Sequence, residues 1–171
     1  MKRTMYVILG GLLFSTFIGA CGGGGGGAPP GQSSCRTNTS FEFNATGPFC
    51  IGTSPFTATF SGGVTESRGQ AGLYSSGNFA WHVLSGTSAI VTFETLPSTV
   101  TFFVRTEFAD TVSDIQILDE NGDLIMSMIP TRAFQQVIVD RVPGETLIRS
   151  IVVTSTSGGD VVIDDFIFVV A

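Results

Sequence analysis

From residue 35 onward, nearly every stretch long enough to form an element is rich in β-branched and aromatic residues, and Gly, Pro, Asn or Ser separates one stretch from the next. Ser88-Ala-Ile-Val-Thr-Phe-Glu94 and Ser98-Thr-Val-Thr-Phe-Phe-Val-Arg105 are the densest examples, with Pro97 marking the turn between them. Such residues fit a pleated, half-buried surface, and no window shows the sustained 3.6-residue periodicity of a packed helix. Further strands are expected at residues 41–44, 56–60, 79–84, 134–140, 147–154 and 161–170. Ile115-Gln-Ile-Leu and Leu124-Ile-Met-Ser-Met flank Asp119-Glu-Asn-Gly-Asp123, where Asn-Gly supplies the positive φ values of a tight hairpin. About ten short strands of this kind predict an all-β fold, two antiparallel sheets packed face to face. Residues 35–171 are enough for one such domain with one core.

The first 34 residues have a different character. Lys2 and Arg3 precede an apolar run from about residue 5 to residue 17, followed by Ile18-Gly19-Ala20-Cys21. This is the layout of a secretory signal, and the run falls short of the roughly 20 residues a membrane-spanning helix needs. Small residues before a cysteine resemble the bacterial lipobox, with Ile18 where Leu is usual. The resemblance implies cleavage after residue 20, acylation of Cys21 and stable attachment to the membrane, since two or more acyl chains hold where one barely does. Residues 21–34, with six consecutive glycines after the cysteine, then read as a flexible tether. The tract matches a G-x-G-x-x-G search, but no strand precedes it and no helix follows, so nucleotide binding is not expected. Among lipoproteins an Asp after the cysteine favours the inner membrane; Gly22 stands here, which implies the outer membrane of a Gram-negative cell.

Removing residues 1–20 removes the only lysine, leaving six arginines against 14 acidic residues, a net charge of −8 in place of −6. That surface repels nucleic acid and anionic head groups. With Cys21 committed to lipid, Cys35 and Cys50 are an even remainder in an oxidising compartment. A disulfide is the economical reading, contributing on the order of 3 kcal/mol in the chain-entropy model; two buried thiols are the alternative.

Within the sandwich class, the order of Phe41-Glu-Phe, Leu73-Tyr-Ser-Ser-Gly, Ala80-Trp-His-Val, Val91-Thr-Phe-Glu, Val100-Thr-Phe-Phe-Val, the hairpin at Asp119 and the closing Ile163-Asp-Asp-Phe-Ile-Phe resembles the galactose-binding-like jelly rolls. These short motifs span most of residues 41–170 and report strands more than chemistry. The resemblance implies a jelly-roll sandwich, carbohydrate as a ligand class, and a structural calcium near where the first and last strands meet, nominating Glu42 with Asp164 or Asp165. The residues themselves agree on one point. In Val161-Val-Ile-Asp-Asp-Phe-Ile-Phe-Val-Val170, alternation places Asp164 with Val162, Phe166 and Phe168, and Asp165 with Val161, Ile163 and Ile167. A carboxylate in a strand apolar on both faces must be paired, hydrogen-bonded or bound to metal, and capping of backbone N–H groups is the alternative to calcium.

Catalytic signals are weak. His82, the only histidine, lies beside Trp81 in an apolar strand with no metal-ligand spacing around it and reads as structural. No G-x-S-x-G elbow occurs, and Asp119, Asn121 and Asp123 begin like an EF-hand loop but lack its sixth-position glycine and closing Glu. For a sugar ring, which stacks on Trp or Tyr faces, the candidates are Trp81 and Tyr74, although alternation places Trp81 with Phe79 and Val83 on what reads as the core side. The expectation is a lipid-anchored binding or accessory module for a glycan or cell-surface polymer, not an enzyme. A structural envelope or matrix protein is the alternative, and a small hydrolase the third.

Overall fold

A computed structural model describes residues 45–46, 49–66, 75 and 79–170. The expected strand at residues 41–44, and Cys21, Cys35, Glu42 and Tyr74, lie outside the described residues. Twelve strands are formed among those described: β1 Ala45–Thr46, β2 Phe49–Thr53, β3 Phe56–Ser61, β4 Val64–Glu66, β5 Ala80–Val83, β6 Thr87–Phe93, β7 Thr99–Thr106, β8 Val112–Asp119, β9 Leu124–Met128, β10 Gln135–Asp140, β11 Ile148–Ser157 and β12 Val161–Val169. They pair antiparallel throughout, in two six-stranded sheets of order β1-β4-β5-β12-β7-β10 and β2-β3-β6-β11-β8-β9. From β5 on, each strand crosses to the other sheet except at the β8–β9 hairpin, the winding of a jelly roll.

Alternation decides what the sheets enclose. Along β7, Val100, Phe102, Val104 and Thr106 point inward and are buried, whereas Thr99, Thr101, Phe103 and Arg105 point outward and are half-exposed. The interior is held by rings: Phe60 meets Trp81 edge-on at 5.0 Å and Phe166 edge-on at 5.0 Å, and Phe166 stacks on Phe102 at 5.8 Å. Each such pair adds about 0.5–1.5 kcal/mol beyond the area it buries.

The last strand departs from strict alternation. A bulge between Asp164 and Ile167, with Asp165 at φ +48°, shifts the phase by one residue. Val161, Ile163, Phe166 and Phe168 therefore face the core, and Val162 and Asp164 the outside. The expected grouping of Asp164 with Phe166 and Phe168 is corrected accordingly. Asp, whose short side chain bonds to its own surroundings, tolerates this left-handed conformation better than a bulky residue.

The hairpin at Asp119 forms, with a turn that differs in detail. Gly122 has positive φ (+86°), Asn121 does not, and Gly122 N–H donates to Asp119 O at 2.9 Å, as in a type I turn closed by a glycine bulge. One oxygen of the Asp119 side chain accepts the N–H groups of both Asn121 and Asp123 at 2.9 Å. The Thr146 side chain, then those two N–H groups and the Arg141 charge, hold the Asp119 carboxyl below its ordinary pKa against the opposing pull of burial. A depressed folded-state pKa stabilises the protein above the unfolded value near 4 and loses that contribution as pH falls through the folded one. Asp119→Asn should therefore show a shallower loss of stability between about pH 5 and pH 2 than wild type in denaturant titrations; parallel acid limbs would contradict this role.

Candidate functional site

The outer face of the first sheet collects the polar groups that the core cannot take. Cross-strand register defines its rows. Arg105, Val162, His82 and Val64 lie side by side on β7, β12, β5 and β4, and in the next row Gln136, Phe103 and Asp164 do so on β10, β7 and β12. Beyond them Ile138 stands opposite Thr101, and Thr101 opposite Ile167. The face has two halves. Near β5 it is closed, with Ala80, His82 and Val162 wholly buried. Towards β10 it is open, with Phe103, Arg105 and Phe134 half-exposed and Gln136, Ile138 and Ile167 exposed.

On the open half, the Arg105 guanidinium lies 5.3 Å from the centre of the Phe134 ring, a cation–π contact that flattens the long side chain against the sheet. Its Nε donates to Thr106 O at 3.2 Å. Burial first, and the neighbouring charge of Arg132 second, push its pKa down while Glu107 opposes them; a guanidinium remains charged at neutral pH regardless. Aromatic surface, a fixed cation and the amide of Gln136 thus share one shallow area. A planar apolar surface with convergent donors can hold a ligand that has both C–H faces and oxygen acceptors.

At the boundary of the two halves, Asp164 is almost wholly buried. Its Oδ2 accepts Ser75 N–H at 2.8 Å and Ser75 Oγ at 3.0 Å, and its Oδ1 accepts Asp165 N–H at 2.9 Å. Ser75 Oγ also reaches Asp165 Oδ2 at 2.6 Å. Hydrogen bonds from N–H and hydroxyl donors therefore meet both oxygens of Asp164, the arrangement read from sequence as the alternative to calcium. Glu42, the third residue of the calcium expectation, lies outside the described residues.

Trp81 requires correction as a stacking platform. It is 0% exposed, packed edge-on against Phe60, because alternation turns Trp81 and Val83 inward while His82 turns outward. Gly63 makes room for it, since a Cβ there would lie 2.3 Å from the indole Nε1. Tyr74 lies outside the described residues. Cys50, on β2, is disulfide-bonded, and its partner also lies outside them.

His82 is not the isolated ring its sequence neighbours suggest. Its Nδ1 lies 3.7 Å from Asp160 Oδ2 and 4.0 Å from Glu66 Oε1. Sequence reading missed these two carboxylates because they come from β4 and from the turn before β12. Phe103 and Phe134, two of the chain's fifteen phenylalanines, and Arg105 were also missed. One signal was available for two of them: alternation from Val104 places Phe103 and Arg105 on the same side, opposite the valines.

No family model and no curated protein matches the chain. Solved structures do resemble it. TmCBM61, determined with β-1,4-galactotriose, is 18% identical with a TM-score of 0.47, over 69% of this chain and 90% of that one. The CBM22-1 xylan-binding domain of Xyn10C from Paenibacillus barcinonensis is 14% identical with a TM-score of 0.42, over 77% and 92%. The enzymatically active domain of bacteriophage CBA120 tailspike protein 4 is 16% identical with a TM-score of 0.38, over 81% of this chain and 21% of that one. All three likenesses are at low identity and with TM-scores below 0.5.

Proposed function

We propose that the chain is a non-catalytic glycan-binding module whose ligand lies on the open half of the first sheet's outer face. The observation that carries this reading is the grouping of Phe103, Phe134, Arg105 and Gln136 on that one accessible surface. A pyranose can rest its C–H face on the phenylalanine rings while its hydroxyls bond the guanidinium and the amide. The reading is supported by the chemistry of these side chains, with the sequence supplying the cell biology: signal peptide 1–20, acylated Cys21, tether 21–34, folded domain 35–171, and anchorage in the outer membrane of a Gram-negative bacterium. Cys35 is the proposed partner of Cys50. A structural calcium between Glu42 and Asp164 or Asp165 remains part of the proposal through the jelly-roll resemblance.

Screening the soluble domain against immobilised glycans should give saturable binding confined to one glycan class. A blank array at high protein concentration would favour the second reading, a structural envelope protein acting through protein contacts. That alternative has its own observation, an open apolar groove of about 420 Å³ lined by Gly52, Phe56, Phe168, Val169 and Val170. The anchor has a separate test. Metabolic labelling with a fatty-acid analogue should tag wild type and not Cys21→Ala, and equal labelling of both would reject acylation at that residue.

A further inference from the structure

Glu66 ends β4, His82 lies in the middle of β5, and Asp160 immediately precedes β12, three neighbouring strands of one sheet. Register sets them on the same outer face. His82 stands between Val64 and Val162, Glu66 lies two residues beyond Val64, and Asp160 two residues before Val162. Their ligand atoms all lie within 4.8 Å of one another, with the imidazole Nδ1 at 3.7 Å from Asp160 and 4.0 Å from Glu66. A point equidistant from three atoms so spaced is about 2.5 Å from each or closer, so a contraction of a few tenths of an ångström reaches the roughly 2.0–2.2 Å of zinc–nitrogen and zinc–oxygen bonds.

We propose that Glu66, His82 and Asp160 form a binding site for a divalent transition cation of the zinc class. An imidazole nitrogen joined to two carboxylates selects such an ion over calcium or magnesium, which prefer oxygen alone. Two carboxylate charges balance one divalent ion, which suits a site where the His82 side chain is fully buried and that of Asp160 is 7% exposed. Asp160 is already oriented for the task. Its Oδ1 accepts Ser85 N–H at 2.9 Å and its carbonyl accepts Glu107 N–H at 2.9 Å, leaving Oδ2 directed at His82. Hydrogen bonds of this sort behind a ligand fix its direction and sharpen affinity. The Glu66 side chain, one-third exposed, gives the ion its way in, and a water would complete the four ligands that zinc commonly takes. The bound ion clamps β4 and β5 to β12, and the inference is independent of the glycan reading.

Because His82 is the chain's only histidine, its imidazole ¹⁵N resonances need no assignment. Zinc added to tag-free, chelator-treated protein should shift Nδ1 saturably at one ion per chain and raise the melting midpoint by about 10 °C at a hundredfold excess over Kd. His82→Ala risks misfolding, so the informative variants are Glu66→Gln and Asp160→Asn. Each should keep a cooperative melt in the absence of metal and weaken zinc binding by about 100-fold or more, beyond the loss expected from an outer-shell partner. Asp114→Asn, on the other sheet, should bind as wild type. Absence of saturable binding, binding that leaves Nδ1 unmoved, binding unaltered in both variants, or an equal midpoint shift with calcium would each overturn the site.

Discussion

Phe166→Ala should destabilise the domain by about 3–5 kcal/mol, the cost of truncating a wholly buried phenylalanine and leaving a cavity behind it. The reason is positional. Phe166 is 0% exposed and touches Phe60 edge-on, stacks on Phe102, and approaches Phe93 and Phe168 at 6.3 and 6.5 Å. It is therefore shared by rings from both sheets. Against a total stability of typically 5–15 kcal/mol the loss is a large fraction, equivalent to a fall in melting midpoint on the order of 10–20 °C for a domain of this size. Phe166→Leu, which keeps most of the volume, should lose less than half as much. Equal losses from the two variants would mean that packing volume does not set the cost, and a loss under about 1 kcal/mol from Phe166→Ala would contradict the placement of the ring at the centre of the core.

That ring also shows where sequence reading stops. Period-two alternation in β6, β7 and β8 reports a local, two-sided environment, and so the sandwich and most strand positions were legible from residue types alone. β2 and β4 escaped because Phe49-Cys-Ile-Gly-Thr and Val64-Thr-Glu are short and close to glycine, and their pairing comes from β3 and β5 rather than from their own propensity. At β12 the bulge was not legible. Asp165 in the left-handed region exchanges the faces of everything after it, and nothing in the local pattern of alternating apolar residues distinguishes the two phases. The site was harder still. Glu66, His82 and Asp160, or Phe103, Arg105, Phe134 and Gln136, become groups only when strand order and register are known. Trp81 was, with Tyr74, one of two aromatics nominated for a sugar, and alternation with Val83 already argued for the interior it occupies.

The second large effect concerns the open half of the outer face. If Phe134 carries the ring and Arg105 the hydroxyl contacts of a glycan, removing either leaves part of the ligand desolvated and unmatched. Phe134→Ala also frees the guanidinium that lies 5.3 Å from the ring, so it should cost as much as Arg105→Ala although it removes no hydrogen bond. A loss of about 10- to 100-fold in affinity is expected from each, as for the few central residues that dominate an interface. The two losses should not add, because the side chains act as one unit. Both positions are half-exposed, so neither variant should lower the melting midpoint by more than a few degrees, which separates loss of ligand from loss of fold.

The most direct test compares the two outer faces of the sandwich under one assay. With a glycan identified by array, its affinity would be measured by titration calorimetry for wild type, Phe134→Ala, Arg105→Ala and a control, Ile90→Ala, on the second sheet, where Ile90 is exposed between β3 and β11. Binding weakened tenfold or more by the first two variants and unchanged by the third is the expected result. Full affinity in Phe134→Ala and Arg105→Ala, or a loss confined to Ile90→Ala, would contradict the assignment of the ligand to the first sheet.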